Sequence, residues 1–140
     1  MKLPVKKVLT LEAARLAMAA AEAEAAKGGW AVAIAVVDEG GHLLMVHRLD
    51  GTQWSSIDTA VQKARAAVAW KRPTRLLEES VNNGRFAFLS IDQGMALLQG
   101  GVPIEIDGQV LGAIGVSGVK ASDDEGVALA GVNALKAALS

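Results

Sequence analysis

Residues Pro103-Ile104-Glu105-Ile106-Asp107-Gly108-Gln109-Val110-Leu111 place two short apolar-alternating runs around an Asp-Gly pair. Asp-Gly accepts the positive φ angles of a type I′ turn, so this stretch predicts an antiparallel hairpin. Its second run continues from Leu111 to Val116, broken by Gly112 and Gly115, where a neighbouring backbone or a ligand has to come close. Upstream, Trp30 to Val37 is an almost unbroken apolar run that ends in Asp38-Glu39-Gly40-Gly41 and resumes as His42-Leu43-Leu44-Met45-Val46. That predicts a second pair of strands joined by a tight turn. The unbroken run implies a strand covered on both faces, and therefore a central sheet. A weaker fifth strand is expected at Met95 to Gln99.

Helices surround these strands. Thr10 precedes Leu11-Glu12-Ala13-Ala14, an alanine-rich stretch runs to Lys27, and Gly28-Gly29 follow, which is the signature of a capped helix. Leu11, Ala14, Met18, Ala21 and Ala25 share one small apolar face. Ser55 or Ser56 caps a second helix from Ile57 to about Trp70, with Ile57, Ala60, Val61, Ala64 and Val68 inward and Lys63 and Arg65 flanking. Arg72-Pro73-Thr74 stops it, Thr74 caps a shorter helix through Val81, and Asn82-Asn83-Gly84 closes that one. Ser122 to Glu125 matches a capping box, and Val127, Ala130, Ala134 and Ala138 mark the inner face of a last helix to Leu139. The order α-β-β-α-α-β-β-β-α predicts an α+β sandwich on an antiparallel sheet, with the terminal helices together on one face.

Composition limits the function. A chain of 140 residues, 51% hydrophobic and 21% charged, reads as one packed domain spanning residues 1–140. A net charge of −1 provides no general field for nucleic acid or an anionic membrane. The absence of cysteine excludes thiolate metal sites, disulfides and Cys nucleophiles. Met1 to Leu9 lacks the apolar core of a secretory signal and no charge-free apolar run is long enough for a bilayer, so the expected location is the cytoplasm.

The glycine pairs match neither a P-loop nor a dinucleotide fingerprint and read as turns and helix ends. His42 and His47 lie five apart in one predicted strand, hence on opposite faces, so no shared metal site is expected. Either alone suits a haem iron or a proton shuttle. The central third carries Arg48, Lys63, Arg65, Lys71, Arg72, Arg75 and Arg85 against Asp50, Asp58, Glu78 and Glu79. Arg48, Lys63 and Arg85 are expected to converge on a ligand carboxylate. Asp123 and Asp124 suit the dipole of the last helix, and beside Ser117-Gly118 a carboxylate also suits a general base or a metal ligand.

Taken together, Val36-Val37-Asp38-Glu39-Gly40-Gly41-His42-Leu43, Arg48-Leu49-Asp50-Gly51, Lys63-Ala64-Arg65, Gly100-Gly101-Val102-Pro103-Ile104, Asp107-Gly108 and Gly112-Ala113-Ile114-Gly115-Val116-Ser117-Gly118 resemble the GlcG/HbpS-like family, which includes the C-terminal domain of PduO-type proteins. The resemblance implies a profilin-like or PAS-like α-β-α sandwich with a central five-stranded antiparallel sheet. It also implies haem, iron or corrinoid association, dimers or larger homo-oligomers, and in some branches enzymes of small anionic metabolites. The positions matching the family's recurrent polar residues are Arg48, Asp50, Lys63 and Ser117-Gly118. In PduO-type members a haem-ligating histidine lies on the first helix; Thr10 to Lys27 contains none, while Met18 offers a soft donor there.

The leading expectation is therefore a binding protein for haem or another carboxylate-bearing small molecule, in a pocket between sheet and central helices. Arg48, Asp50, Lys63, Arg85, Ser117 and Gly118 would hold the ligand. The alternative is a lyase, hydrolase or isomerase of a small unsaturated carboxylic acid, with Arg48 or Arg85 as clamp and Lys63, His47 or Asp124 as proton carrier. A third reading is a scaffold whose alanine-rich helices form intersubunit contacts.

Overall fold

Strand β3 (Gly101–Ile106) turns into β4 (Gln109–Ser117) through Asp107 and Gly108, whose φ angles of 50° and 76° are the pair a type I′ turn needs. The computed structural model describes residues 1–91 and 94–140. β4 also pairs with β1 (Ala33–Asp38), and β1 with β2 (Leu43–Arg48), every pairing antiparallel, in the order β2-β1-β4-β3. The sheet thus has four strands among the described residues rather than five. The stretch expected as the fifth, Met95 to Gln99, has no strand geometry. Its Ala96 N–H donates to the Gln62 carbonyl on a helix, so this backbone group is not available to a strand neighbour.

Helices α1 (Leu11–Gly28) and α4 (Ala121–Leu139) cover one face of the sheet, and α2 (Ser55–Trp70) covers the other. α3 (Thr74–Asn82) and a short 3-10 helix (Phe86–Ser90) follow α2. Alternation along β1 splits the core accordingly. Ile34 and Val36 join Met18, Ala21, Ile114, Val127 and Leu135 on the α1/α4 side, whereas Ala33 and Ala35 meet Ala60 of α2.

The glycines of β4 mark close approach by backbone. A Cβ built on Gly115 would lie 2.0 Å from the Ala60 carbonyl oxygen and 2.6 Å from Ala64 N, so the α2 backbone rests directly on the strand. On the other face, a Cβ on Gly131 would lie 2.8 Å from the Ala17 carbonyl oxygen, where α4 crosses α1. The small faces of α1 and α4 are thus used against each other inside the chain.

Helix ends follow the sequence in part. Thr10 Oγ1 accepts from Ala13 N at 3.1 Å and Gly29, at φ 66°, closes α1 as expected. α2 instead takes Trp54 as its N-cap, with Ser55 and Ser56 already helical. α3 starts after Pro73, and the Thr74 hydroxyl, expected as a cap, accepts from Gly101 N at 2.8 Å. The capping box at Ser122 is not formed: Lys120 is the N-cap, and Glu125 accepts from Gln99 Nε2 at 2.6 Å. The buried face of α4 is Asp124, Val127, Ala128, Gly131, Val132 and Leu135 rather than Ala130, Ala134 and Ala138. This face buries the larger Val127, Val132 and Leu135 and brings Asp124 to Lys63, which the small-residue stripe would not.

Gly126 of α4 has nothing within 4 Å of an added Cβ. Gly126→Ala should therefore raise stability by about 0.5–1 kcal/mol through helix propensity alone. A urea midpoint equal to or below that of the parent chain would refute this.

Candidate functional site

Ala60, Ala64 and Gly115 seat α2 so close to the sheet that Lys63, on the same helix face, runs into the interior and is only 4% exposed. Gly100 and Gly101 make room for it, since a Cβ on Gly100 would fall 2.8 Å from Lys63 Nζ and one on Gly101 would fall 2.4 Å from the Lys63 carbonyl oxygen. Lys63 Nζ donates to the Val116 carbonyl at 2.9 Å and to Asp124 Oδ2 at 3.3 Å. Asp124 Oδ1 in turn accepts from Val119 N at 3.2 Å. Burial pushes the Asp124 carboxyl above its usual value, against the Lys63 charge and the backbone N–H groups of Val119 and Gly118, which pull it down. Lys63 thus does not flank its helix and reach for a ligand, as its sequence position suggested. It ties α2, β4 and α4 together.

A second group lies beside this pair at the same end of the sheet. Arg48, Ala33 and Ser117 are partners across β2, β1 and β4, so their side chains leave the same face, the one on which Ala33 meets Ala60. Ser56 lies one turn before Ala60, just inside the start of α2, where the N-cap Trp54 makes no side-chain cap among the described residues. The Ser56 and Thr52 hydroxyls there are buried, at 1% and 8% exposure, with no hydrogen-bond partner among the described residues. Leu49 N donates to the Val32 carbonyl, which anchors the turn carrying exposed Asp50. Gly118, at φ 148°, packs where a Cβ would meet the Ala31 carbonyl oxygen at 2.6 Å. Trp54 stands 76% exposed. The arrangement offers positive charge, two hydroxyls without partners among the described residues and a helix N-terminus, groups whose chemistry suits an anion.

Arg48, Asp50, Lys63, Ser117, Gly118 and Asp124 therefore gather at one end of the sheet, although the expected convergence of Arg48, Lys63 and Arg85 does not occur. Lys63 is taken by Asp124, and Arg85 lies before the 3-10 helix with its guanidinium 4.8 Å from the Phe88 ring. His47 pairs across from Ile34, on the α1 side, and its ring contacts the Glu22 carboxylate. His42 falls in the turn before β2, with its ring 3.3 Å from Asp38. Among the described residues no cluster of three or more metal-binding side chains forms. Met18 is 1% exposed within the core, where its sulfur packs against apolar neighbours.

The interface between sheet and central helix, where a pocket was expected, is filled by alanines and Lys63. Hollows lie at the margins. One of about 520 Å³ runs between Val68 and Lys71 of α2 and the β3–β4 hairpin. Another, of about 530 Å³, is lined by α3 together with Phe88, Leu89, Ile91 and residues 95–98. Sequence reasoning did not single out the buried hydroxyls of Thr52 and Ser56 or the helix-start Trp54. A signal existed in Ser56, Ala60, Lys63 and Ala67, which repeat at spacings of four, three and four and place a serine and a lysine on the buried stripe.

The family model described as "Haem degrading protein HbpS-like" matches residues 9–133. The chain belongs to the HbpS-like family. Protein GlcG of Escherichia coli K12 is 44% identical over 112 residues, covering 80% of this chain and 83% of GlcG. Among solved structures, Klebsiella pneumoniae protein ORFY superposes with a TM-score of 0.89 at 32% identity, covering 98% of this chain and 97% of ORFY. A double mutant of Streptomyces reticuli HbpS gives 0.86 at 37% identity, covering 99% of this chain and 91% of that one. This HbpS-like chain has, among its described residues, no helix long and apolar enough to cross a membrane.

Proposed function

We propose that this HbpS-like chain is a small-molecule-binding protein that takes a carboxylate-bearing ligand at the N-terminal end of α2. The row Arg48, Ala33, Ser117 beneath an uncapped helix start, with two orphaned hydroxyls, carries this reading. An unsatisfied buried hydroxyl costs about 1–3 kcal/mol, which a ligand oxygen hydrogen-bonded to Ser56 or Thr52 offsets. Ala33 between them is buried against Ala60, so a ligand reaches Arg48 from the open side of the row, where the partial positive charge of the helix start adds to the Arg48 cation. Asp50 accepts from a hydroxyl on the ligand. Lys63 and Asp124 act from behind, keeping the Ser117–Val119 backbone in place.

Haem is the ligand that the family description supports. Arg48 and the helix start supply the charge its propionates would pair with, and exposed Trp54 provides a planar apolar surface. No histidine belongs to this corner, because His47 lies on the other sheet face and His42 in the far hairpin turn, so haem would be held through its carboxylates. The enzymatic alternative, a lyase, hydrolase or isomerase of a small unsaturated acid, is favoured by the raised Asp124. Both Asp124 oxygens, however, are engaged by Lys63 and Val119, an arrangement that suits positioning better than proton transfer.

Hemin followed by its Soret band and fumarate followed by calorimetry test the reading. At least one should bind saturably, and Arg48→Ala should weaken that binding by ~1.5–3 kcal/mol through loss of a charge-assisted hydrogen bond. Identical affinities for the parent and Arg48→Ala chains, or no saturable binding of either probe, overturn it.

A further inference from the structure

The sheet has two edge strands, β2 and β3, and their outer backbone groups are treated differently. On β3, Gly101 N donates to Thr74 Oγ1 at 2.8 Å, and Pro103, the next residue on that side, has no N–H to offer. β2 has neither device. Leu49 N donates to the Val32 carbonyl at 3.0 Å, and the register pairs Arg48 with Ala33 and Val46 with Ala35. By the alternation of an antiparallel ladder, the N–H and C=O groups of Val46 and Arg48 therefore point away from β1. Among the described residues they meet no partner. Leu44 is the extra residue of a bulge and has no partner on β1 either. The strand, Leu43-Leu44-Met45-Val46-His47-Arg48, contains no proline, lysine or carboxylate to discourage pairing, and Leu44, Met45 and Val46 are left half-buried.

We infer that β2 is an interface between two copies of this chain, paired antiparallel about a two-fold axis at Val46 so that the sheet continues from one copy into the other. A second copy fits because the edge is complementary to itself. With Val46 on the axis, the outward N–H and C=O of each Val46 bond those of the other, and Arg48 stands opposite the partner's Leu44. His47 stands opposite the partner's Met45, so no cation faces a cation. Moving the axis to His47 would set that ring against its own copy, and moving it to Met45 would run the pairing into the bulge. Val46 rests on the Ala33, Ala35 and Ala60 cluster beside Val61 of α2, and its counterpart covers what these leave exposed. The interface stands apart from the carboxylate reading, which uses the Arg48 side chain and not the β2 backbone.

Sedimentation equilibrium of the parent chain and of variants at the axis tests this. The parent should sediment as a dimer or a higher even assembly. Val46→Lys, whose stem keeps its packing while its ammonium faces its own copy across the axis, should weaken association at least about tenfold. Val46→Pro removes a donor that is turned away from β1, so it should give a monomer with the parent's far-ultraviolet circular dichroism. The chain has no cysteine, so Val46→Cys offers one thiol per copy. Facing residues of such a pair lie about 5.5 Å apart between Cα atoms, within disulfide reach, and mild oxidation should link the copies. Leu129→Cys, exposed on α4, is the control and should stay unlinked. A parent that sediments as a monomer throughout the micromolar range, a Val46→Lys chain that associates as the parent does, or thiol linking at position 46 no faster than at 129 would each overturn the inference. Arg48→Ala keeps the backbone and should leave association unchanged, so the two readings fail separately.

Discussion

Lys63→Ala is expected to lower the stability of the folded chain by about 3–5 kcal/mol near neutral pH. The loss has little to do with the missing attraction as such. It arises because Asp124, 2% exposed, is left as a buried charge whose remaining partner is backbone N–H. Neutralising both members should be far milder: Lys63→Met with Asp124→Asn keeps an acceptor for Val119 N, conserves volume, and should recover most of the loss. Equilibrium urea unfolding of the four chains in this cycle measures it. A Lys63→Ala loss below about 1 kcal/mol would sink the buried-pair account.

The pH dependence of the same pair has a definite sign. Because burial raises the folded Asp124 pKa above its ordinary 3.8, the folded state binds this proton more tightly than the unfolded chain does. The contribution of Asp124 to stability is therefore largest at acidic pH, declines as pH rises from the unfolded value through the folded one, and is flat above that. Asp124→Asn should remove this decline. Removing Lys63 takes away a charge that pulls the pKa down, so in Lys63→Ala the decline should extend to higher pH, and the cost of the substitution should shrink in acid.

The second large effect is expected at Gly115. Its missing side chain is what allows α2 to lie on β4, with the Ala60 carbonyl 2.0 Å and Ala64 N 2.6 Å from where a Cβ would sit. Both neighbours are backbone, so neither can swing aside as a flexible side chain would. Gly115→Ala should cost about 3 kcal/mol, at the upper end of overpacking penalties, and Gly115→Val more. Moving α2 outward also shifts Ser56 and Lys63, so carboxylate binding should fall together with stability. If Gly115→Ala melts like the parent chain, the close helix–strand seat described here is wrong.

Much of the architecture is legible in short stretches. Asp107-Gly108, the apolar run of β1 and the Thr10 and Gly29 caps of α1 act on neighbours within a few residues, so their consequences can be read without knowing the rest of the fold. The fifth strand fails for the opposite reason: Met95 to Gln99 looks extended, but Ala96 is held by a carbonyl 34 positions earlier in sequence. The site is legible in part. Arg48 and Ser117 fall in one cross-strand row through Ala33 and Lys63 pairs with Asp124 inside the fold, while Arg85 and His47 lie elsewhere.

Residue order by itself determined the hairpins, the helix positions, the sandwich and the family to which the chain belongs, since turn chemistry and hydrophobic period are properties of adjacent residues. Only the tertiary structure decided which cation is buried, which hydroxyls are left without partners and which hollow stays open. Those outcomes depend on groups 61 positions apart, such as Lys63 and Asp124, being brought within hydrogen-bonding distance by glycines whose only contribution is to occupy no space.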